Sequence, residues 1–244
     1  MMRLAPHFQL IRIIVNEGND FGCWVRLSIT PTNQSDPKPM LAVGGKPLLQ
    51  WHIEKLVDAG VTEAVINTSW LASQIEDFFG DGQQFGINIL WSREQTPLET
   101  GGGIFNALPL LGSDPFMLIS ADVWTDLSFV SVLKNCTERA NSAHLIMIGN
   151  PQHNPSGDFS LTNNVIGYGE PRYTYSGISV LSPKLFSGLK TSSKEFPLRS
   201  VLRPAILAGR VSGEVFFGDW CDVGTVERYN ILNQRIMEGA NDPK

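Results

Sequence analysis

Cysteine is scarce in this chain. There are three, Cys23, Cys136 and Cys221, an odd number without metal-ligand spacing. That argues against a disulfide framework and for a reducing compartment, so a cytoplasmic location is expected. Long hydrophobic runs are missing too: none approaches the roughly eighteen residues of a membrane span. Met1 to Val15 has some apolar character, but Arg12 interrupts it and no small-residue cleavage site follows, so no secretory signal is expected. Runs of basic residues are absent, and the formal net charge is −5 with a pI near 5.4. A general nucleic-acid or membrane-surface binder is thereby disfavoured, and a small-molecule partner is expected. The four histidines, His7, His52, His144 and His153, are scattered. They suggest no Ser/His/Asp or Cys/His arrangement for nucleophilic catalysis.

What is present is enough apolar material for one substantial core: 244 residues with 42% hydrophobic side chains. Short apolar runs alternate with longer amphipathic ones, the pattern of βα units around a mostly parallel sheet. Strands are expected at Glu63 to Thr68, Ile87 to Trp91, Phe116 to Ser120, His144 to Ile148, Tyr175 to Leu181 and Glu214 to Phe217. Pro47 and Gly60 bracket a helix whose buried stripe is Leu48, Ile53, Leu56 and Val57. Further helices are expected at Leu71 to Phe79, after Gly103, after Thr125, at Pro197 and at Thr225. No internal repeat or linker divides the chain.

Two aspartates carry the strongest chemical signal. Asp122 in Ser120-Ala121-Asp122-Val123-Trp124 and Asp222 in Trp220-Cys221-Asp222-Val223-Gly224-Thr225 each follow a strand-like run. Ligands of open α/β sheets sit outside the carboxyl ends of the strands, so the pair reads as a hard-cation site. Each aspartate also reads as a cap or turn before a helix. Leu98-Glu99-Thr100-Gly101-Gly102-Gly103 would set bare backbone N–H groups at a helix N-terminus, open to a flat base or an anion, or form a flexible turn. Lys38, held between Pro37 and Pro39, has a fixed reach, although a lone surface lysine is usually solvated. Asp158, in the polar loop running from Asn150 to Phe159, can accept hydrogen bonds from sugar hydroxyls or close a β-turn. Cys221 reads as a small packing residue beside Asp222.

From Asp36 to about Glu227 these motifs, in this order, resemble the sugar-1-phosphate nucleotidylyltransferases. The likeness also takes in Val65-Ile66-Asn67, Ser176-Gly177-Ile178 and Arg210 to Glu214. It implies a three-layer, Rossmann-like α/β nucleotidylyltransferase fold with a small sugar-binding lobe. It also implies an enzyme that transfers a nucleotidyl group, with UTP as the expected donor, to a sugar 1-phosphate with Mg²⁺ as cofactor. By the same resemblance Lys38 contacts phosphate, Glu99, Thr100, Gly101 and Gly102 hold the base, Asp122 and Asp222 hold Mg²⁺, and Asn67, Asp158, Ser176 and Gly177 face the sugar. The sugar phosphate is already anionic near neutral pH, so no general base is required. Two rivals are a metal-dependent glycosyltransferase and a non-catalytic sugar-nucleotide sensor. The first leaves Pro37-Lys38-Pro39 and Asp222-Val223-Gly224-Thr225 unexplained.

One expected part is not spelled. Family members open with a strand and a loop of the pattern L-A-A-G-x-G-x-R-x-x-P-L-T, and Asn16 to Pro31 does not match it. Read one nucleotide later, however, permitted codons for that stretch yield M-K-A-M-I-L-A-A-G-F-G-S-R-L-R-P, and Trp24 followed by Val25 forces a glycine where the first loop glycine belongs. The expectation is therefore a frameshifted N-terminal segment over residues 1–32, with a leader through Val15, ahead of a nucleotidylyltransferase domain over 33–244. In the alternative, Ile11 to Val15 replaces the first strand and Asn16 to Gly22 forms a divergent loop.

Overall fold

A computed structural model of the chain describes residues 13–16, 37–69, 71–133, 142–189 and 193–239, the first of these segments by its backbone. In chain order come β1 (Ile13–Asn16), the hairpin β2 (Ala42–Val43) and β3 (Lys46–Pro47), α1 (Leu48–Asp58), β4 (Glu63–Thr68), α2 (Ala72–Phe79), β5 (Asn88–Arg93) and α3 (Glu99–Leu111). Next are β6 (Phe116–Ser120), β7 (Val123–Thr125), a helical stretch at 129–133, β8 (Ala143–Ile148), β9 (Phe159–Thr162), β10 (Val165–Gly167) and β11 (Arg172–Leu181). The remainder is α4 (Leu198–Leu207), β12 (Val211–Val215), β13 (Trp220–Asp222) and α5 (Val226–Gly239). Among the described residues, no helix is long and apolar enough to cross a membrane.

Nine strands form the main sheet in the order β5-β4-β1-β6-β11-β8-β12-β10-β9. The first four run parallel. β11 then enters antiparallel between β6 and β8, and its start also pairs with β9, so the strands of the second half close into a ring beside the parallel half. That ring is the small lobe. The sheet is thus parallel in its first half and largely antiparallel in its second, because the hairpin β9–β10 and its return strand β11 are joined by short connections rather than crossover helices.

Alternation within strands makes the layers. Ala64 and Ile66 of β4 and Met117 and Ile119 of β6 pack on one face with Leu49, Ile53, Leu56, Ile75 and Phe79 from α1 and α2. Val65 and Leu118 point the other way, towards Ile104, Ala107 and Leu111 of α3 and Leu202 of α4. Two helical layers therefore cover one sheet, which is why β6 and β8 are buried at every position. α1 starts after Pro47, whose extended backbone sits at the helix entry, and stops before Gly60 at φ 82. Ile53 and Leu56 are buried as expected, with Val57 packed at the edge of their cluster, whereas Leu48 is buried in a second cluster with Leu41, Trp124 and Val223.

The first strand has an unexpected source. β1 lies between β4 and β6, pairing Ile14 with Val65 and Leu118, the place that the divergent-loop alternative gives to residues 11–15. Residues 17–36, where the loop after that strand falls, lie outside the described residues.

Candidate active site

The chain leaves β6 at Ser120, turns at Ala121–Asp122 and returns as β7, which pairs antiparallel with β13 as a separate two-stranded ribbon. Its register sets Asp222 opposite Val123 and Trp220 opposite Thr125, and the Val223 N–H donates to the Asp122 carbonyl at 2.7 Å. Both carboxylates are thereby carried at one end of the same ribbon, at the carboxyl edge of the parallel strands. Asp122 is 2% and Asp222 6% exposed. Burial pushes the Asp122 carboxyl above its ordinary value, the Lys38 ammonium 3.7 Å from Oδ2 draws it back, and the nearby charge of Asp222 raises it again.

Asp222 has two partners of its own. Arg228 Nη2 lies 3.0 Å from Oδ2 and His153 Nε2 3.3 Å from Oδ1. Gly224 makes the first contact possible, since the guanidinium occupies the space that a Cβ there would need. Even so, Asp122 Oδ2 and Asp222 Oδ1 are buried without a hydrogen-bond donor. Two buried carboxylate oxygens that face ion-pair partners but accept no hydrogen bond fit a Mg²⁺ ion, which is held by one or two carboxylates and completes its shell with water and substrate phosphate. Among the described residues no group of three or more His, Cys, Asp or Glu is placed to hold a metal ion.

The other residues singled out from the sequence fall on either side. Pro37, extended at ψ 147, delivers Lys38 into a single 3-10 turn, Lys38–Met40, and its side chain is 41% exposed. On the lobe side, Gly177 stands at φ +81, where the register of β11 shifts, and a Cβ there would come within 2.7 Å of Ser120 Oγ. The neighbouring Ser176 carbonyl accepts the Trp220 indole N–H at 2.9 Å, tying lobe to ribbon. Asp158 sits deeper in the lobe, where its carboxylate accepts the Tyr175 N–H at 2.8 Å and the Asn154 amide at 3.2 Å, and burial raises its pKa. Both of its oxygens thus already serve the lobe's own framework.

On the far side of β1, the buried Asn67 donates its amide to Glu94 at 3.0 Å and keeps its Oδ1 without a partner. Glu94, whose carboxyl burial pushes up, in turn accepts the Leu98 N–H at 3.0 Å. α3 begins at Glu99 rather than after Gly103, so the three glycines are the third to fifth residues of the helix. They are not left bare. The Gly102 N–H donates to the Phe196 carbonyl at 3.0 Å, and a Cβ on Gly101 would come within 2.7 Å of the Phe196 ring and carbonyl. These glycines admit the 194–197 segment, and Thr100 is buried beside them.

Lys38, Asp122 and Asp222 are therefore in one cluster, Ser176 and Gly177 adjoin it, and Asn67 and the start of α3 lie two strands away along the same edge. Sequence reasoning missed Arg228 and His153. Arg228 stands three residues beyond Thr225 in the helix that the Asp-Val-Gly-Thr turn opens, so a search for cations facing back at Asp222 would have found it. His153 lies in the same polar loop from Asn150 as Asp158, with no neighbouring pattern that marks it as a partner of Asp222. Cys221, next to Asp222, packs at the edge of the cluster that holds Leu41, Val43 and Trp124, and burial pushes its thiol up to about 11, which fits a packing role.

Comparison with known proteins gives a consistent result. The nucleotidyl transferase family model matches residues 28–159. The chain is 44% identical over 217 residues, covering 86% of this chain and 93% of the relative, to N-acetylmuramate alpha-1-phosphate uridylyltransferase of Neisseria meningitidis. It is 27% identical over 214 residues to mannose-1-phosphate guanylyltransferase of Mycobacterium tuberculosis, covering 82% of this chain and 59% of the relative. Among solved structures, UDP-glucose pyrophosphorylase from Acinetobacter baumanii superposes with a TM-score of 0.76 at 16% identity, covering 97% and 95% of the two chains, a likeness of fold.

Proposed function

The chain belongs to the nucleotidyl transferase family, and from that premise we propose that it transfers the uridylyl group of UTP to N-acetylmuramate α-1-phosphate, releasing pyrophosphate, as a step of cell-wall sugar recycling. The observation that carries this reading is the ribbon that sets Asp122 and Asp222 together beside Lys38, with an unsatisfied carboxylate oxygen on each aspartate. The 44% identity to a uridylyltransferase over nearly the whole of both chains supports the choice of base and sugar.

In this reading a phosphate oxygen of the sugar 1-phosphate attacks the α-phosphorus of UTP in line, and pyrophosphate leaves. The attacking group is already an anion, so the protein positions and neutralises rather than abstracting a proton. Mg²⁺ held by Asp122 and Asp222 would supply charge neutralisation and orientation of the phosphates. Lys38 offsets part of the burial that raises the Asp122 pKa and, being partly exposed, reaches the nucleotide phosphates. By family resemblance the Glu99–Gly102 segment is assigned to the base, which would require the 194–197 segment packed on its glycines to give way, while Asn67, Ser176, Gly177 and Asp158 are assigned to the sugar side. We further propose that residues 1–32 comprise a leader through Val15 followed by a shifted-frame reading of the triphosphate loop, so that the chain as written is impaired.

The test measures pyrophosphate released by the purified chain, and by one whose first 32 residues are replaced with the shifted-frame loop, in Mg²⁺. UTP with N-acetylmuramate α-1-phosphate is set against GTP with mannose 1-phosphate. Turnover with the first pair is expected. Preference for the second pair would overturn the assignment of base and sugar, and nucleotide binding without pyrophosphate release from either protein would make the chain a sensor.

A further inference from the structure

The ribbon that carries Asp122 and Asp222 has three residues in each strand and is not paired by backbone ladder hydrogen bonds into the nine-stranded sheet, to which the Trp220 indole ties it through the Ser176 carbonyl. An isolated two-stranded ribbon is marginally stable in water. Yet the spacing of the two carboxylates depends on this one, so its support from outside decides how well the cation site is defined. That support comes from one face of α1. The Lys55 ammonium donates to the carbonyl of Thr125, the last residue of β7, and at 3.2 Å to that of Leu127. One turn earlier, His52 is fully buried, stacks on Phe129 with ring centroids 6.3 Å apart, and lies against the Val123 backbone with a geometry short of a full hydrogen bond. Trp51, next to it, meets Trp124 edge to face at 6.2 Å. Three neighbouring side chains of a single helix thus grip every residue of β7.

Half-burial gives this arrangement its cost and its meaning. A lysine in such a place loses hydration, and its pKa is lowered chiefly for that reason, with Asp126 acting against it. What it receives in return is two carbonyl acceptors on the ribbon and the ring of Phe129 at 5.6 Å. An apolar residue there would spare the desolvation but leave those carbonyls unpaired. α1 is also tied to the Lys38 segment, since the Leu48 N–H donates to the Leu41 carbonyl and the Trp51 indole to the Val43 carbonyl, each at 2.9 Å.

From this geometry we infer that Lys55, seconded by His52, is a positioning residue that fixes the β7–β13 ribbon and so sets the spacing of Asp122 and Asp222 for a divalent cation. The inference rests on the reading of those aspartates as the cation site. Lys55 touches neither substrate nor cation. It acts through the backbone between Val123 and Leu127.

The test is Mn²⁺ affinity by electron paramagnetic resonance of the full chain, a readout independent of turnover, together with a thermal melt. Lys55→Met is expected to melt cooperatively and to bind Mn²⁺ about tenfold more weakly, the range seen when supporting groups around a metal site are removed. Lys55→Arg, which keeps the charge and donors, is expected to recover most of that loss. Should Lys55→Met not fold, Lys55→Gln takes its place with the same expectation. Wild-type Mn²⁺ affinity in a folded Lys55→Met or Lys55→Gln protein would overturn the inference. Failure of the underlying reading is distinguishable, because then Asp122→Asn would also bind Mn²⁺ as tightly as the wild type.

Discussion

At the scale of single residues, Asp122 is placed at a cost to stability. Its carboxylate is buried, faces the like charge of Asp222, and has an Oδ2 without a donor; Lys38 at 3.7 Å offsets only part of this. Removing the charge while keeping the shape should therefore relieve the metal-free protein. Asp122→Asn is expected to melt higher than wild type in chelator, by about 2–4 °C for each kcal/mol relieved. The same variant should lose at least about a thousandfold in turnover with Mg²⁺, as expected for a ligand of the reacting phosphates. A lowered melting temperature together with retained turnover would assign Asp122 to the framework. This opposition between stability and activity could not be read from sequence. The motif around Asp122 pointed to a cation, but its burial and its approach to Asp222 arise from pairing across a hundred residues.

At the scale of elements, the two halves of the sheet explain what was legible and what was not. β4 and β6 were expected with their observed bounds, because buried parallel strands are continuous apolar runs with glycine and proline punctuation. β9 and β10 were not expected: Ser160, Thr162 and Gly167 dilute their apolar pattern, and they are defined by pairing within the lobe. The three-residue strands of the ribbon are too short for periodicity to register. α3 is the instructive miss. Its glycines argue for a turn on propensity, yet they sit in a helix because the 194–197 segment crosses it at a distance that a side chain would forbid. Gly102→Ala drives a Cβ into the Lys194 carbonyl, a backbone atom that cannot swing away, so a loss of about 1–3 kcal/mol is expected in urea unfolding. An unchanged midpoint would mean that the crossing segment moves freely, and that these glycines serve a ligand instead.

At the scale of the whole molecule, the question is how a chain with this ribbon and this N-terminal segment would handle a triphosphate. The family model begins its match at residue 28, beyond most of the stretch where the glycine-rich loop would stand. β1 supplies a strand in the centre of the sheet from residues 13–16, so the architecture does not require the loop to be spelled. Fold and phosphate binding are therefore separable here: a central strand needs only backbone pairing and an apolar run, whereas a triphosphate cradle needs glycines that open the backbone and an arginine at a set spacing. Oriented donors of this kind are worth about 2.7–4 kcal/mol each in other active sites, so losing even one weakens binding by about a hundredfold. Calorimetric titration of UTP into the chain as written should give little heat at protein concentrations where the chain with the restored loop saturates in the micromolar range. Equal affinities would mean that residues 17–36 form a working cradle of their own, and the frameshift would then be an accident of codon degeneracy. Sequencing the DNA over that region gives an independent check, since codons that cannot spell the loop one nucleotide later remove the proposal whatever the titration returns.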